Sequence, residues 1–308
     1  MPDYGIIDTH MHCHQIAAVG LQAQGGTSRT GYAGTMEELL PYMAEKGIDK
    51  VCMVNFTPVW DMMRAANARL PQDLTPDQRR EKEDEVRQAI VGRLQRRNDW
   101  SCQVVGENPG KLYAYIGVDP VMGEEEMYQE VHRCKAMGAS GIKLHTVVQR
   151  LAINDRGLWP AYRAMEELGM TWIMHSGPFR DEDKEGRYGR PALAVDVLKD
   201  FPRSKIHLAH CGGRTFFQEA IALAKEYPQL SFDCCGILRD TEQSGEHSLS
   251  DDEAVSLFRA LGADRVTFGS DWPFADGMPD VERVERLPLT RDEKRNILRD
   301  NAIRLLGL

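Results

Sequence analysis

Eight short apolar segments, each followed by a stretch with helical spacing, constrain this chain more than any other feature. They fall at 4–9, 50–55, 112–118, 140–145, 170–175, 205–210, 230–234 and 265–270. Strand then helix, repeated with glycine-rich breaks, is the pattern of a parallel sheet whose crossovers are helices. The intervening segments carry matching start signals. Thr35 with Glu38, Ser250 with Glu253 and Thr290 with Glu293 have the spacing of capping boxes, and Gly47 and Gly262 stand where the helices should stop. Eight repeats in 308 residues match a closed (β/α)8 barrel. An open doubly wound sheet is the competing arrangement. It lacks its chemical support, because no GxGxxG or GxxxxGK[ST] run follows the first strand.

The regular spacing breaks once, between the second and third strands. Residues 58–110 form an insertion in which Thr75, Pro76 and Gln78 mark a helix start. Val86, Ile90, Val91 and Leu94 supply an apolar stripe to an otherwise charged helix. The insertion reads equally as a solvated excursion over one barrel end or as a substrate lid. The whole chain, 1–308, is expected to be one barrel domain that includes it.

Composition excludes several partners. The balance of 38 basic against 47 acidic residues, a net charge of −9, argues against generic binding to nucleic acid or an anionic membrane. No segment offers the roughly 18 apolar residues of a membrane span. The start MPDYGIIDTHMHCH lacks a basic region and a long apolar run, so it does not read as a secretory signal. The seven cysteines are odd in number and form no CxxC pair. A disulfide scaffold or zinc ribbon is therefore not expected, and a reducing cytoplasm is the expected location.

Chemistry concentrates at strand ends. In His10-Met11-His12 alternation gives both imidazoles one orientation, so they can converge on an ion. Asp8 shares that parity and is a candidate to support a ligand from beneath. MTWIMHSG places His175 at the fifth strand end, IHLAHCGG places His210 at the sixth, and VTFGSDWPF places Asp271 at the eighth. In a barrel these ends surround one opening. Imidazole with carboxylate suits zinc, and also manganese or iron. His14, beyond the pair, reads as a loop or substrate-facing residue, whereas His132 and His207 fall outside the converging set.

The runs IIDTHMH, GIKLH, WIMHSG, LAHCGG, FGSDWPF and NAIRLLGL, with RRNDW ahead of LYAYIGVDP, span nearly the whole chain. Together they resemble the amidohydrolase superfamily, in the branch called amidohydrolase family 2 that includes aminocarboxymuconate-semialdehyde decarboxylase-like enzymes. The resemblance implies a distorted (β/α)8 TIM barrel with one divalent metal ion, zinc first and manganese or iron as alternatives. Its ligands would be His10, His12, His175 and Asp271. His210 would handle the proton of the chemistry, and Asp271 would assist. In binuclear relatives a carboxylated lysine on the fourth strand bridges two ions, which here would be Lys143. That lysine could instead pair with Asp8 or bind an anionic substrate. His145 is a substrate or supporting candidate. Trp272 and Phe274 could form an apolar wall, and Arg180, Arg187 and Arg239 could meet a substrate carboxylate. A homodimer is the assembly the resemblance suggests.

Three functions compete on these residues. The leading expectation is metal-assisted hydrolysis of a lactone, amide or ester in a small anionic substrate. The alternative is nonoxidative decarboxylation of an aromatic or unsaturated acid. RRNDW and the insertion resemble the decarboxylase side, whereas HSGPF departs from the HPW-like continuation of typical decarboxylases. The third reading is an inactive metal-binding barrel, which metal- and His210-dependent turnover would exclude.

Overall fold

The computed structural model describes residues 2–178, 183, 185–239 and 248–308. Its centre is one sheet of eight parallel strands in sequential order. They are β1 (Ile6–Met11), β2 (Ile48–Val54), β3 (Leu112–Ile116), β4 (Gly141–Leu144), β5 (Thr171–Met174), β6 (Lys205–Leu208), β7 (Ser231–Asp233) and β8 (Val266–Thr267). Between β8 and β1 the ring closes through Thr9 N to Phe268 O at 2.9 Å, Asp271 N to His10 O at 2.8 Å and His12 N to Trp272 O at 2.7 Å. The expected TIM barrel is therefore present, with helices between its strands.

The strand bounds shift by up to three residues from expectation, and in two strands the local reason is plain. β1 starts two residues late because Gly5 adopts a left-handed φ of 74°, outside the extended region. β8 stops at Thr267 because the next amide, Phe268 N, bonds Ile297 O at 2.8 Å and leaves the ladder. Likewise His145, His175 and His210 lie just past β4, β5 and β6. The histidines thus stand on turns at the barrel mouth, carried by rigid strand ends.

The sheet is sandwiched between two apolar regions. Outside it, residues such as Trp172, Phe232 and Ile142 pack with the surrounding helices. Inside, Cys52, Val54, Tyr115 and Ile173 form a smaller cluster. The helix starts follow their signals. Capping boxes at Thr35, Thr75, Ser250 and Thr290 open the helices Met36–Lys46, Pro76–Glu107, Asp251–Leu261 and Arg291–Arg295.

The insertion contains helices Val59–Asn67 and Pro76–Glu107. Ile90, Val91 and Leu94 of the predicted stripe are buried. Asn98 clips the long helix to the chain after β3: its amide nitrogen donates to Gly117 O at 3.0 Å and its oxygen accepts from Gly117 N at 2.9 Å. On the shorter helix, the Trp60 ring lies 3.6 Å beneath the Arg150 guanidinium, in the turn that follows His145. The insertion therefore packs beside the barrel mouth. Among the described residues no helix is long and apolar enough to cross a membrane.

Candidate active site

Alternation along β1 sends Met11 into the core and leaves His10 and His12 together, their ring centroids 5.4 Å apart. Opposite them, Asp271 turns the chain after β8 with φ 65°, an uncommon conformation for a residue with a side chain. That turn sets Asp271 Oδ1 3.1 Å from His12 Nε2 and 3.9 Å from His10 Nε2. His10, His12 and Asp271 offer three donor atoms within 4.8 Å of one another. Burial alone would raise the Asp271 pKa. The His12 hydrogen bond and charge overcome it and hold the group well below the usual carboxylate range.

Asp233, at the end of β7, sets the His10 ring. Its Oδ2 lies 2.9 Å from His10 Nδ1 and 3.5 Å from His207 Nε2. Its Oδ1 accepts from His210 N at 2.8 Å and Cys235 N at 3.1 Å. A carboxylate at Nδ1 favours the tautomer with hydrogen there, leaving the His10 Nε2 lone pair to accept from Lys143, with Asp271 beyond at 3.9 Å. Burial opposes ionisation of Asp233, but His10 and His207 outweigh it and its pKa falls well below normal.

His210 and His175 form a second pair. His210 Nδ1 lies 3.0 Å from Cys235 O, and its Nε2 lies 3.1 Å from His175 Nδ1. A carbonyl only accepts, so His210 donates from Nδ1. In the neutral ring Nε2 then accepts from His175 Nδ1, which leaves His175 its Nε2 lone pair. The His175 ring stacks on His145 at 4.3 Å, and His210 lies 5.4 Å from His10. Two glycines permit this approach. A Cβ on Gly213 would stand 2.2 Å from Gly177 Cα, so the turns after β5 and β6 touch backbone to backbone.

Lys143 projects into the barrel from β4, fully buried, with Nζ 3.0 Å from His10 Nε2. Burial lowers its pKa to about 8, while Asp233 and Asp271 oppose the shift. Asp8 accepts from His10 N at 2.9 Å and Ser270 N at 3.2 Å, so it braces the backbones beside the site. Its burial pushes the pKa up to about 7.

The remaining candidates separate. Phe274 faces His12 edge-on at 5.2 Å. Trp272 is fully buried and stacks on Tyr42 at 5.4 Å beneath the loop. Arg239 is tied to Asp280 and to Ser270 O. Arg187 is exposed, with its guanidinium 5.6 Å from the Tyr188 ring. His207 is buried inside the barrel below Asp233, and His132 lies by Glu167. Arg180 and His247 lie outside the described residues.

Sequence reading missed Asp233 and Phe56. The Phe56 ring lies 5.6 Å from His12 and 4.7 Å from His145, and with Phe274 it is a second aromatic ring edge-on to His12. Asp233 had a usable signal: in Ser-Phe-Asp it sits at a strand end, as the histidines and Asp271 do.

Residues 7–308 match the amidohydrolase family, Amidohydro_2. The chain belongs to this family. A relative of this chain, the 2-amino-3-carboxymuconate-6-semialdehyde decarboxylase of Dictyostelium discoideum, is 29% identical over 239 residues. The alignment spans 68% of the chain and 65% of that relative. Among solved structures, 2,6-dihydroxybenzoate decarboxylase complexed with 2,6-dihydroxybenzoate superposes with a TM-score of 0.67 at 17% identity, covering 99% of each chain. A dihydroxybenzoic acid decarboxylase from Polaromonas sp. JS666, with bound manganese and the inhibitor 2-nitroresorcinol, gives 0.68 at 15% identity, covering 99% of this chain and 97% of that one. The two structural likenesses concern the fold.

These findings correct the leading functional expectation. Hydrolysis is overturned, because the curated sequence relatives of Dictyostelium discoideum and Caenorhabditis elegans are both named as decarboxylases. The metal-binding expectation is retained at the level of a divalent ion.

Proposed function

We propose that this member of the amidohydrolase family is a metal-dependent, nonoxidative decarboxylase of a small, planar, unsaturated or aromatic carboxylic acid. The observation that carries the reading is the His175–His210 pair beside His10, His12 and Asp271, in a chain whose sequence relative is a decarboxylase.

The donors suit a divalent ion. The tautomers imposed by Asp233 and Cys235 leave lone pairs at His10 Nε2 and His175 Nε2. Asp271 and the Val54 backbone both stand as acceptors to His12, and a neutral ring, with a single N–H, cannot donate to both. Cation binding at its Nε2 answers that conflict. His10, His12, His175 and Asp271 would hold zinc or manganese, both compatible with mixed imidazole and carboxylate donors. The ion would supply positive charge that polarises and orients the substrate's oxygens.

The chain's own residues account for the other steps. Phe56 and Phe274 flank His12 and form walls for a flat ligand, restricting water. Once it has taken up a proton at Nε2, in place of the hydrogen bond from His175, His210 delivers that proton to the carbon bearing the carboxylate and returns to the neutral ring. The bond from that carbon to the carboxylate then breaks, its electron pair returns to the unsaturated system, and carbon dioxide leaves. The protein should therefore be loaded with manganese or zinc and offered aromatic and muconate-like acids. Release of carbon dioxide with a product lighter by that mass is expected. Failure of every acid to release it, under conditions that saturate the metal, overturns the reading.

A further inference from the structure

We propose that Arg97 is the specificity-determining residue of this site and binds a second acidic group of the substrate, apart from the carboxylate that leaves. The inference rests on the decarboxylase reading only for the identity of that leaving carboxylate.

Arg97 belongs to the long insertion helix, in the RRNDW run. Its Nη1 donates to Phe56 O at 3.2 Å and Thr57 Oγ1 at 3.1 Å, immediately after β2. The ring of that same Phe56 lies against His12 and His145. The guanidinium is thereby fixed at the mouth, beside the backbone that carries the Phe56 ring.

Both acceptors are neutral. Among the described residues, no carboxylate forms an ion pair with Arg97, and the charge acting on it is that of another cation, Arg93. Other arginines of the scaffold are paired: Arg133 with Glu130, Arg239 with Asp280 and Arg259 with Glu293. Burial disfavours the charged form of Arg97. A largely buried cation without a counter-ion is unfavourable, and an arriving anion would relieve it. The guanidinium fork suits a carboxylate in two-point contact. Lys143 is a second cation of the site, fully buried on its floor beside His10. The site thus presents one cation at its base and another at its rim, an arrangement matched to a dicarboxylate held between Phe56 and Phe274.

Benzoate and benzene-1,3-dicarboxylate are suitable probes, titrated calorimetrically into metal-loaded protein. The dicarboxylate should bind the wild type roughly 10- to 100-fold more tightly, the range of a charge-assisted pair. Arg97→Met should abolish that difference and leave benzoate binding unchanged, with folding checked by thermal unfolding. Arg97→Lys keeps the charge without the fork, and should weaken the dicarboxylate alone by roughly 3-fold or more. Equal binding of both acids by the wild type overturns the proposal. So does an unchanged ratio in the variants, or a parallel loss for both acids, which would mark a structural role. Carbon dioxide release with no dicarboxylate preference removes Arg97 from specificity and leaves the decarboxylase reading intact. A preference lost in Arg97→Met without carbon dioxide release keeps the anion site and removes that reading.

Discussion

At the scale of residues, Asp233 links the two halves of the site. One of its oxygens fixes the His10 ring, and the other holds the backbone at His210. An amide there keeps the size but loses the charge, and its nitrogen would face the His10 Nδ1 hydrogen. Asp233→Asn is therefore expected to weaken metal binding by roughly 10- to 100-fold, measured by competition with a chromophoric chelator. Unchanged affinity would show that His10 keeps its tautomer without the carboxylate. Side-chain identity made the convergence of His10, His12, His175, His210 and Asp271 on one opening readable in advance, because few structural roles require so many imidazoles at strand ends. The directions of Trp272 and Phe274 were not readable. The left-handed turn at Asp271 breaks the alternation from which directions are extrapolated. Arg239 was equally opaque, since its partner Asp280 lies 41 residues away.

At the scale of elements, the turns after β5 and β6 determine whether His175 meets His210. Gly213 has φ 82° and touches Gly177, so an added methyl meets both conformational strain and a backbone clash. Gly213→Ala should lower stability by about 1 kcal/mol or more and reduce turnover, although it removes no candidate ligand. Thermal unfolding with a parallel rate measurement checks this, and full activity at wild-type stability would contradict it. The last capping box gives a pH-dependent test. Hydrogen bonds from Arg259 and from the Thr290 amide lower the Glu293 pKa to about 2. A depressed carboxylate stabilises above its unfolded pKa of about 4.3, and the contribution disappears as pH falls toward 2. The stability gap between wild type and Glu293→Gln should therefore narrow as pH falls from 6 to 3; a constant gap would assign the effect to uncharged contacts. These boxes were legible because capping uses residues three apart. The Gly177–Gly213 contact was not, because it joins distant segments through barrel closure.

At the scale of the whole molecule, eight sequential strands bring residues 10 through 271 round one opening. An ion that binds these ligands in the folded state should stabilise the entire barrel. At a free concentration of 100 times Kd the expected gain is about 2.7 kcal/mol, seen as a lower Tm after chelation and recovery on adding manganese or zinc. A Tm indifferent to either metal would contradict a site shared among strands. The repeat pattern made the barrel legible, whereas the reaction was not. Imidazole and carboxylate ligands can serve water attack or carbon protonation, and the choice depends on the substrate that enters.

The most direct measurement is turnover in deuterated water, with the product located by mass and magnetic resonance. A proton-delivering His210 predicts one deuterium at the carbon that carried the carboxylate, together with one carbon dioxide. His210→Asn should bind metal normally while turnover falls at least about 10²-fold. A product that gains the elements of water without releasing carbon dioxide, or wild-type turnover in His210→Asn, would contradict the proposed chemistry.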